Sequence, residues 1–218
     1  MKADDYKDFQ SIGKIPLSVV IDEGDILLDA IVALCCETRV CVQAGGNFGI
    51  FPHYLSKKFD SVISFEPCPE VYELCKKNIQ GRDNIRLIGK GLSDFVGSCS
   101  MVRGPKENYG ASHVNFSDEG GIPVTTIDSE LAGEEACDLI LLDVEGAEYR
   151  ALKGAVNTIR KYRPVIVLEN KGLIPDKEFK TGFLADGNIR FRSYIVSEFG
   201  YVFHSRIGRD DVLLPQER

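Results

Sequence analysis

Five short, largely apolar runs constrain this chain more than any other feature. They are Arg39-Val-Cys-Val-Gln-Ala44, Ser61-Val-Ile-Ser-Phe65, Ile85-Arg-Leu-Ile88, Asp138-Leu-Ile-Leu-Leu142 and Pro164-Val-Ile-Val-Leu168. Apart from the segment between the third and fourth, stretches with helical signals follow or separate them. Strands that are apolar on both faces are covered on both faces, so the pattern predicts an α/β fold around a mostly parallel sheet. Near the end, Tyr201 to Arg206 and Asp211 to Leu214 flank Gly208 and read as a hairpin that adds an antiparallel strand at one edge.

The elements between are marked by caps and breakers. Asp22, Glu23, Gly24 and Asp25 offer cap and first-turn acids for a helix running to about Cys36. Pro69 at a first helical position starts another, reaching about Gln80. Tyr149, Leu152, Val156 and Ile159 repeat at spacings of three and four, which predicts one helix after the fourth strand. A further helix is expected from about Ile189 to Phe199, after a polar stretch containing Gly172, Pro175, Gly182 and Gly187. Between Val96 and Thr126, glycines recur at 97, 104, 110, 120 and 121, and the text reads as loop and hairpin rather than a strand–helix unit. The expected organisation is an N-terminal arm over residues 1–20 and one domain over 21–218, with an insertion at about 96–126.

Charge and cysteine usage narrow the function classes. The 26 basic against 33 acidic residues give a formal charge of −7, the reverse of what a general nucleic-acid or anionic-membrane binder shows. No apolar run approaches the roughly 20 residues a membrane span needs, so a cytoplasmic protein is the default expectation. Seven cysteines, with no C-x-x-C pair, read as free buried thiols in a reducing compartment. The three histidines, His53, His113 and His204, show no ligand spacing, so no metal site is expected.

The chemistry concentrates at strand ends. Gly45-Gly-Asn-Phe-Gly49 follows the first strand, where glycines let the backbone turn sharply and let a ligand approach its N–H groups. In open α/β sheets this crossover is where nucleoside ligands bind. Glu66, 23 residues after Gln43, ends the second strand, where a carboxylate can accept hydrogen bonds from a ribose diol. The G-G-x-x-G spacing departs from the dinucleotide G-x-G-x-x-G and suits a nucleoside without phosphates, such as S-adenosylmethionine (SAM).

Val42-Gln-Ala-Gly-Gly-Asn-Phe-Gly49 resembles the D-x-G-A-N-x-G motif of FkbM-type SAM-dependent methyltransferases. Phe65-Glu-Pro67 resembles their F-E-P, and Gly91-Leu-Ser-Asp94 with Gly97 their S-D-x-x-G. Thr126-Ile-Asp128, Leu142-Asp-Val-Glu-Gly-Ala-Glu148 and Leu152-Lys-Gly-Ala155 complete the series, with a weaker echo at Gly200-Tyr201 and Gly208 to Asp211. The likeness covers about Val40 to Glu169 and is to short single-domain members of bacteria and phages. It implies a class I methyltransferase sheet of seven strands in the order 3-2-1-4-5-7-6, the last antiparallel.

It also implies roles. Gln43, Gly45, Gly46, Asn47, Phe48 and Gly49 line the methionine part of SAM. Glu66 takes the ribose hydroxyls and Pro67 shapes the wall. Leu92, Ser93 and Asp94 flank the adenine, with Asp94 a partner for its amino group. Asp143 faces the cleft near the sulfonium. Gln43 stands where the family usually has Asp, losing a negative charge, and Gln43→Asp is expected to keep or improve binding.

The methyl of SAM is already activated, so alignment and water exclusion supply most of the rate. A hydroxyl acceptor needs a proton acceptor as well, and Asp143, Glu145, Glu148, Glu169 and His113 are the candidates. Glu145 and Glu148 also suit a helix start, where carboxylates satisfy N–H groups. His113 lies in an irregular stretch of the kind that often forms a specificity loop, though a plain surface histidine is the preferred reading. His53 and His204 read as packing or surface residues. The leading expectation is metal-independent O-methylation of a sugar or small-molecule hydroxyl. Two alternatives stay open: an NAD-dependent oxidoreductase on a Rossmann sheet, and a non-catalytic SAM-binding protein. The sequence names neither the acceptor nor the oligomeric state.

Overall fold

The structure, a computed structural model, describes residues 6–10, 27–104, 112–116, 119–170, 192 and 194–217. Most of the N-terminal arm, residues 22–25, Asn108 to Ala111 and the polar stretch 172–187 lie outside the described residues. In chain order the elements begin with helix α1 (27–32), β1 (Val40–Ala44), α2 (Ile50–Leu55), β2 (Ser61–Phe65), α3 (Pro69–Asn78) and β3 (Ile85–Ile88). Four short strands follow: β4 (Gly91–Leu92), β5 (Gly97–Val102), β6 (His113–Asn115) and β7 (Ile122–Thr125). Then come α4 (Ile127–Glu130), β8 (Leu139–Leu142), α5 (Glu148–Lys153), α6 (Val156–Tyr162), β9 (Val165–Glu169), α7 (194–199), β10 (Tyr201–Ile207) and β11 (Asp210–Pro215).

Seven strands form the main sheet in the order β3-β2-β1-β8-β9-β11-β10, in which β11 is antiparallel to both neighbours. Numbered by every strand in the chain, the order is 3-2-1-8-9-11-10, and numbered within this sheet alone it is the expected 3-2-1-4-5-7-6. The two numberings differ because β4 to β7 build a second sheet in the order β4-β7-β5-β6, with β5 to β7 falling where the sequence read loop and hairpin.

Side chains alternate across the main sheet with period two, as a strand covered on both faces requires. Val42, Ala44, Ile63, Phe65, Ile140 and Leu142 join one core. Cys41, Val62, Leu139, Leu141, Val165 and Val167 join the other. Removing a side chain this deeply buried, as in Leu141→Ala, costs about 2–5 kcal/mol. Asp138 ties the starts of β8 and β1 together, accepting from the N–H groups of Arg39 and Val40 at 2.8 and 3.2 Å and from the Arg39 guanidinium.

Local departures have local causes. The stretch after the fourth long strand is two helices, α5 and α6, rather than one. A Cβ at Gly154 would lie 2.1 Å from the Ser93 carbonyl oxygen, so the chain passes too close to β4's end for a side chain there. Five cysteines are buried as expected, but Cys35 is half-buried and Cys36 exposed. His53 is buried against Tyr6 and Phe9, and His204 lies exposed on β10. No helix among the described residues is long and apolar enough to cross a membrane.

Candidate active site

The site gathers at the C-terminal ends of β1, β2, β8 and β9. At the end of β1 the chain reverses through Gly45, whose N–H and that of Gly46 both donate to the Phe65 carbonyl at 3.0 and 2.9 Å. Gly45 has φ +87, and a Cβ on it would lie 2.0 Å from the Asp143 carbonyl oxygen, so only glycine fits. Gly49, at φ +86, precedes α2, and a Cβ there would press within 2.8 Å of Ile79. Pro52 is tolerated in the first turn of α2 because its missing N–H has no helical partner to lose.

Gln43, fully buried, holds this turn from beneath. Its Nε2 donates to the Gly45 carbonyl at 2.9 Å, and its Oε1 accepts from Ser64 Oγ at 2.7 Å. The amide is therefore engaged inside the protein. Sequence reading missed Ser64, whose importance comes from lying opposite Gln43 in the β1–β2 register.

Glu66 ends β2 with its carboxylate fixed by backbone. Oε2 accepts from the Asn47 N–H and Oε1 from the Cys68 N–H, each at 2.9 Å. Burial raises its pKa, while those two N–H groups oppose the rise. Each oxygen keeps a lone pair, so the group can still accept hydrogen bonds from a vicinal diol. The Asn47 side-chain oxygen is a buried acceptor with no hydrogen-bond partner among the described residues. A glycine-rich cradle, an oriented carboxylate and this spare acceptor fit the nucleoside cofactor expected from the sequence.

Leu92 and Ser93 are buried at the end of β4, where the Ser93 N–H donates to the Thr125 carbonyl at 2.8 Å. Asp94 sits beside them with its carboxylate bound by Arg150 Nη1 at 2.8 Å and Lys153 Nζ at 3.0 Å. These cations lower its pKa against the effect of burial. Pro67 lies half-buried, next to the position a Cβ on Gly91 would take.

Asp143, Glu145 and Glu169 converge, with one carboxylate oxygen of each lying within 4.8 Å of the others. Asp143 follows β8, and its N–H donates to the Ala44 carbonyl at 3.0 Å, which places it beside the Gly45 turn. Glu145 adopts a left-handed φ of +52, and Glu169 ends β9. His113 is not in this cluster. It lies on β6 opposite Val102 in the small sheet, not in the irregular stretch the sequence suggested.

Glu148 is buried at the start of α5, and its Oε1 accepts from the N–H groups of Val144 and Gly146 at 3.2 and 3.3 Å. It thus braces the turn that carries Glu145. Burial pushes its pKa up to about 7, with Glu169 adding repulsion. Asp210, which sequence reading did not single out, faces Glu169 in the β11–β9 register, and burial, Glu169 and Asp211 push it to about 7. Asp211, also buried, holds Asn170 Nδ2 at 2.7 Å, Arg206 Nε at 2.8 Å and the Arg192 guanidinium.

Residues 43–203 match the Methyltransferase FkbM domain, about three quarters of the chain. The chain belongs to the FkbM methyltransferase family. Relatives include methyltransferase sdnD of Sordaria araneosa, 26% identical over 152 residues, and hexuronic acid methyltransferase AglP of Haloferax volcanii, 28% identical over 144. These alignments take in 52% and 64% of this chain and 59% of each relative's length. A crystal structure of methyltransferase FkbM from Methylobacillus flagellatus superposes with a TM-score of 0.52 at 20% identity, over 81% of this chain and 43% of the other. A putative caffeoyl-CoA O-methyltransferase from Staphylococcus aureus superposes at 0.53 and 12% identity, over 94% and 86%. Both share the α/β fold of class I methyltransferases. The cofactor of the FkbM family is SAM.

Proposed function

We propose that this chain transfers a methyl group from SAM to a hydroxyl of a sugar or small molecule. The observation that carries the reading is the convergence of Asp143, Glu145 and Glu169 beside a glycine-rich turn at the strand ends. It puts proton-accepting groups where a nucleoside cofactor would present its reactive end. The Haloferax relative, named for methylating a hexuronic acid, supports a glycan acceptor.

SAM supplies a methyl on a sulfonium that needs no further activation. The chain's part is binding, alignment and proton removal. Gly45 to Gly49 hold the methionine portion, Glu66 accepts from the ribose hydroxyls, and Leu92 and Ser93 wall the base. Asp94, bound to Arg150 and Lys153, fixes the edge of that wall. Carboxylates this close repel one another, and one of the cluster would take the acceptor's proton as the acceptor oxygen gains the methyl, the methyl's bond to sulfur breaks and the neutral thioether leaves. The acceptor lies over Asp143 and Glu169.

The test is turnover: purified protein, SAM and a panel of neutral sugars, hexuronic acids and small alcohols, with the demethylated cofactor measured. A methylated hydroxyl is expected, with Glu169→Gln lowering kcat more than the KM for SAM. Methylation only of amines or thiols would overturn the acceptor class. The same three carboxylates could instead share a divalent cation, so loss of turnover in EDTA, restored by Mg²⁺, would overturn metal independence.

A further inference from the structure

Residues 6–10 pack against α2 and α3, the helices that frame the Gly-rich turn. Tyr6 is 3% exposed and meets His53 of α2 edge-on at 5.0 Å between ring centroids, and Phe9 meets the same ring at 5.1 Å. Tyr6 and Phe9 also contact each other at 5.0 Å, and with Ile50 and Phe51 they form a small apolar cluster that Phe51 joins to one of the main cores. Both aromatic anchors thus grip the helix that begins where the Gly-rich turn ends.

One side chain joins this strap to the turn. Asn78, in the last turn of α3, accepts from the Gln10 N–H at 2.9 Å and donates Nδ2 to the Gln10 carbonyl at 2.8 Å. The same Nδ2 donates to the Phe48 carbonyl at 2.9 Å. An amide nitrogen has two hydrogens and the oxygen serves as acceptor, so all three contacts are made at once. The neighbouring turns of α3 brace the same loop: Cys75 Sγ lies 3.9 Å from the Gly46 carbonyl, and Ile79 bounds the space beside Gly49.

We propose that Asn78 is a positioning residue for the cofactor, and that residues 6–10 form a strap which holds it, and through it the Phe48 peptide, in the binding conformation. This rests on the reading that the Gly45–Gly49 turn holds SAM. Without the strap, the Asn78 amide is released to water and the Phe48 carbonyl loses its fixed partner. Apparent affinity then falls by the fraction of molecules whose turn remains ordered. A lost hydrogen bond of ordinary strength gives a weakening of about three- to tenfold. The coupling is reciprocal, so a ligand in the turn must also tighten the strap.

The experiment measures S-adenosylhomocysteine (SAH) binding by calorimetry in the full chain. The variants are wild type, Asn78→Asp, Tyr6→Ala with Phe9→Ala, and all three changes together. Asn78→Asp keeps the shape and the acceptor but removes both donated hydrogens. Each set is expected to weaken SAH by about three- to tenfold, and the combination by no more than the worse of the two. The KM for SAM should rise while kcat at saturation holds, which a merely structural loss of folded protein would not produce. Hydrogen exchange on the wild type gives a readout independent of variant folding: SAH should slow exchange across residues 6–10. Unchanged affinity in folded variants, additive losses, or no protection of the strap by bound SAH would overturn the proposal. A wild type that binds no SAH overturns the cofactor reading and the strap with it, whereas wild-type binding with indifferent variants overturns the strap alone.

Discussion

Replacing Gln43 by Asp, the residue the family usually carries there, should destabilise the folded protein, an effect separate from the cofactor binding that the sequence expected the change to keep or improve. Gln43 is fully buried and its amide donates to the Gly45 carbonyl while accepting from Ser64. An ionised carboxylate cannot donate, and the N–H groups of Gly45 and Gly46 are already committed to Phe65, so neither can turn to meet it. The stranded Gly45 carbonyl costs about 1–3 kcal/mol. The missing methylene costs about 1 kcal/mol more. Together they predict roughly 2–4 kcal/mol lost near neutral pH. Burial also raises the new carboxyl's folded pKa above its unfolded value of about 3.9, so the folded state prefers the protonated form. Protonated, the group can donate again. The variant's deficit is therefore smallest in acid, grows as pH rises above the unfolded value, and levels off above the folded one. Urea unfolding of wild type and variant at pH 5 and pH 8 measures this. A variant as stable as wild type at pH 8, or a deficit equal at both pH values, would refute the reasoning.

Three further outcomes follow from the same geometry. Glu66→Gln, which can no longer accept on both sides, should cost about 1.5–3 kcal/mol of SAH affinity, and calorimetry showing unchanged binding would remove Glu66 from the site. Gly45→Ala forces a Cβ to within 2.0 Å of the Asp143 carbonyl, so thermal melts should show clear destabilisation and turnover should fall with the displacement of Asp143; a variant of wild-type stability would show the turn to be looser than it looks. Glu148 has its folded pKa raised from the ordinary 4.5 to about 7, so it lowers wild-type stability as pH climbs through that window. Glu148→Gln should flatten the dependence, and an unchanged slope between pH 5 and pH 7 would assign it to another group, Asp210 first.

Which parts of this molecule could be read in the sequence follows from what fixes each of them. The long strands were legible because both their faces are buried: Leu139 and Leu141 enter one core, and Ile140 and Leu142 the other, so the run is apolar throughout. The Gly-rich turn was legible because backbone geometry alone demands glycine at position 45, whatever lies around it. The small sheet was not, since β4 and β6 are two and three residues long and β5, largely exposed, carries no apolar run, so they take their order from pairing with each other and with β7 rather than from a pattern of their own. Likewise the break between α5 and α6 reflects the approach of Gly154 to Ser93, a contact between segments far apart in sequence. The site divides along the same line. Asp143, Glu145 and Glu169 were named from strand ends, where an open α/β sheet presents its chemistry. Ser64 opposite Gln43, Asp210 opposite Glu169 and Asn78 beneath Phe48 owe their positions to register and docking. Each of these three acts on a site residue through a partner, so its role appears only once the partner's place is known.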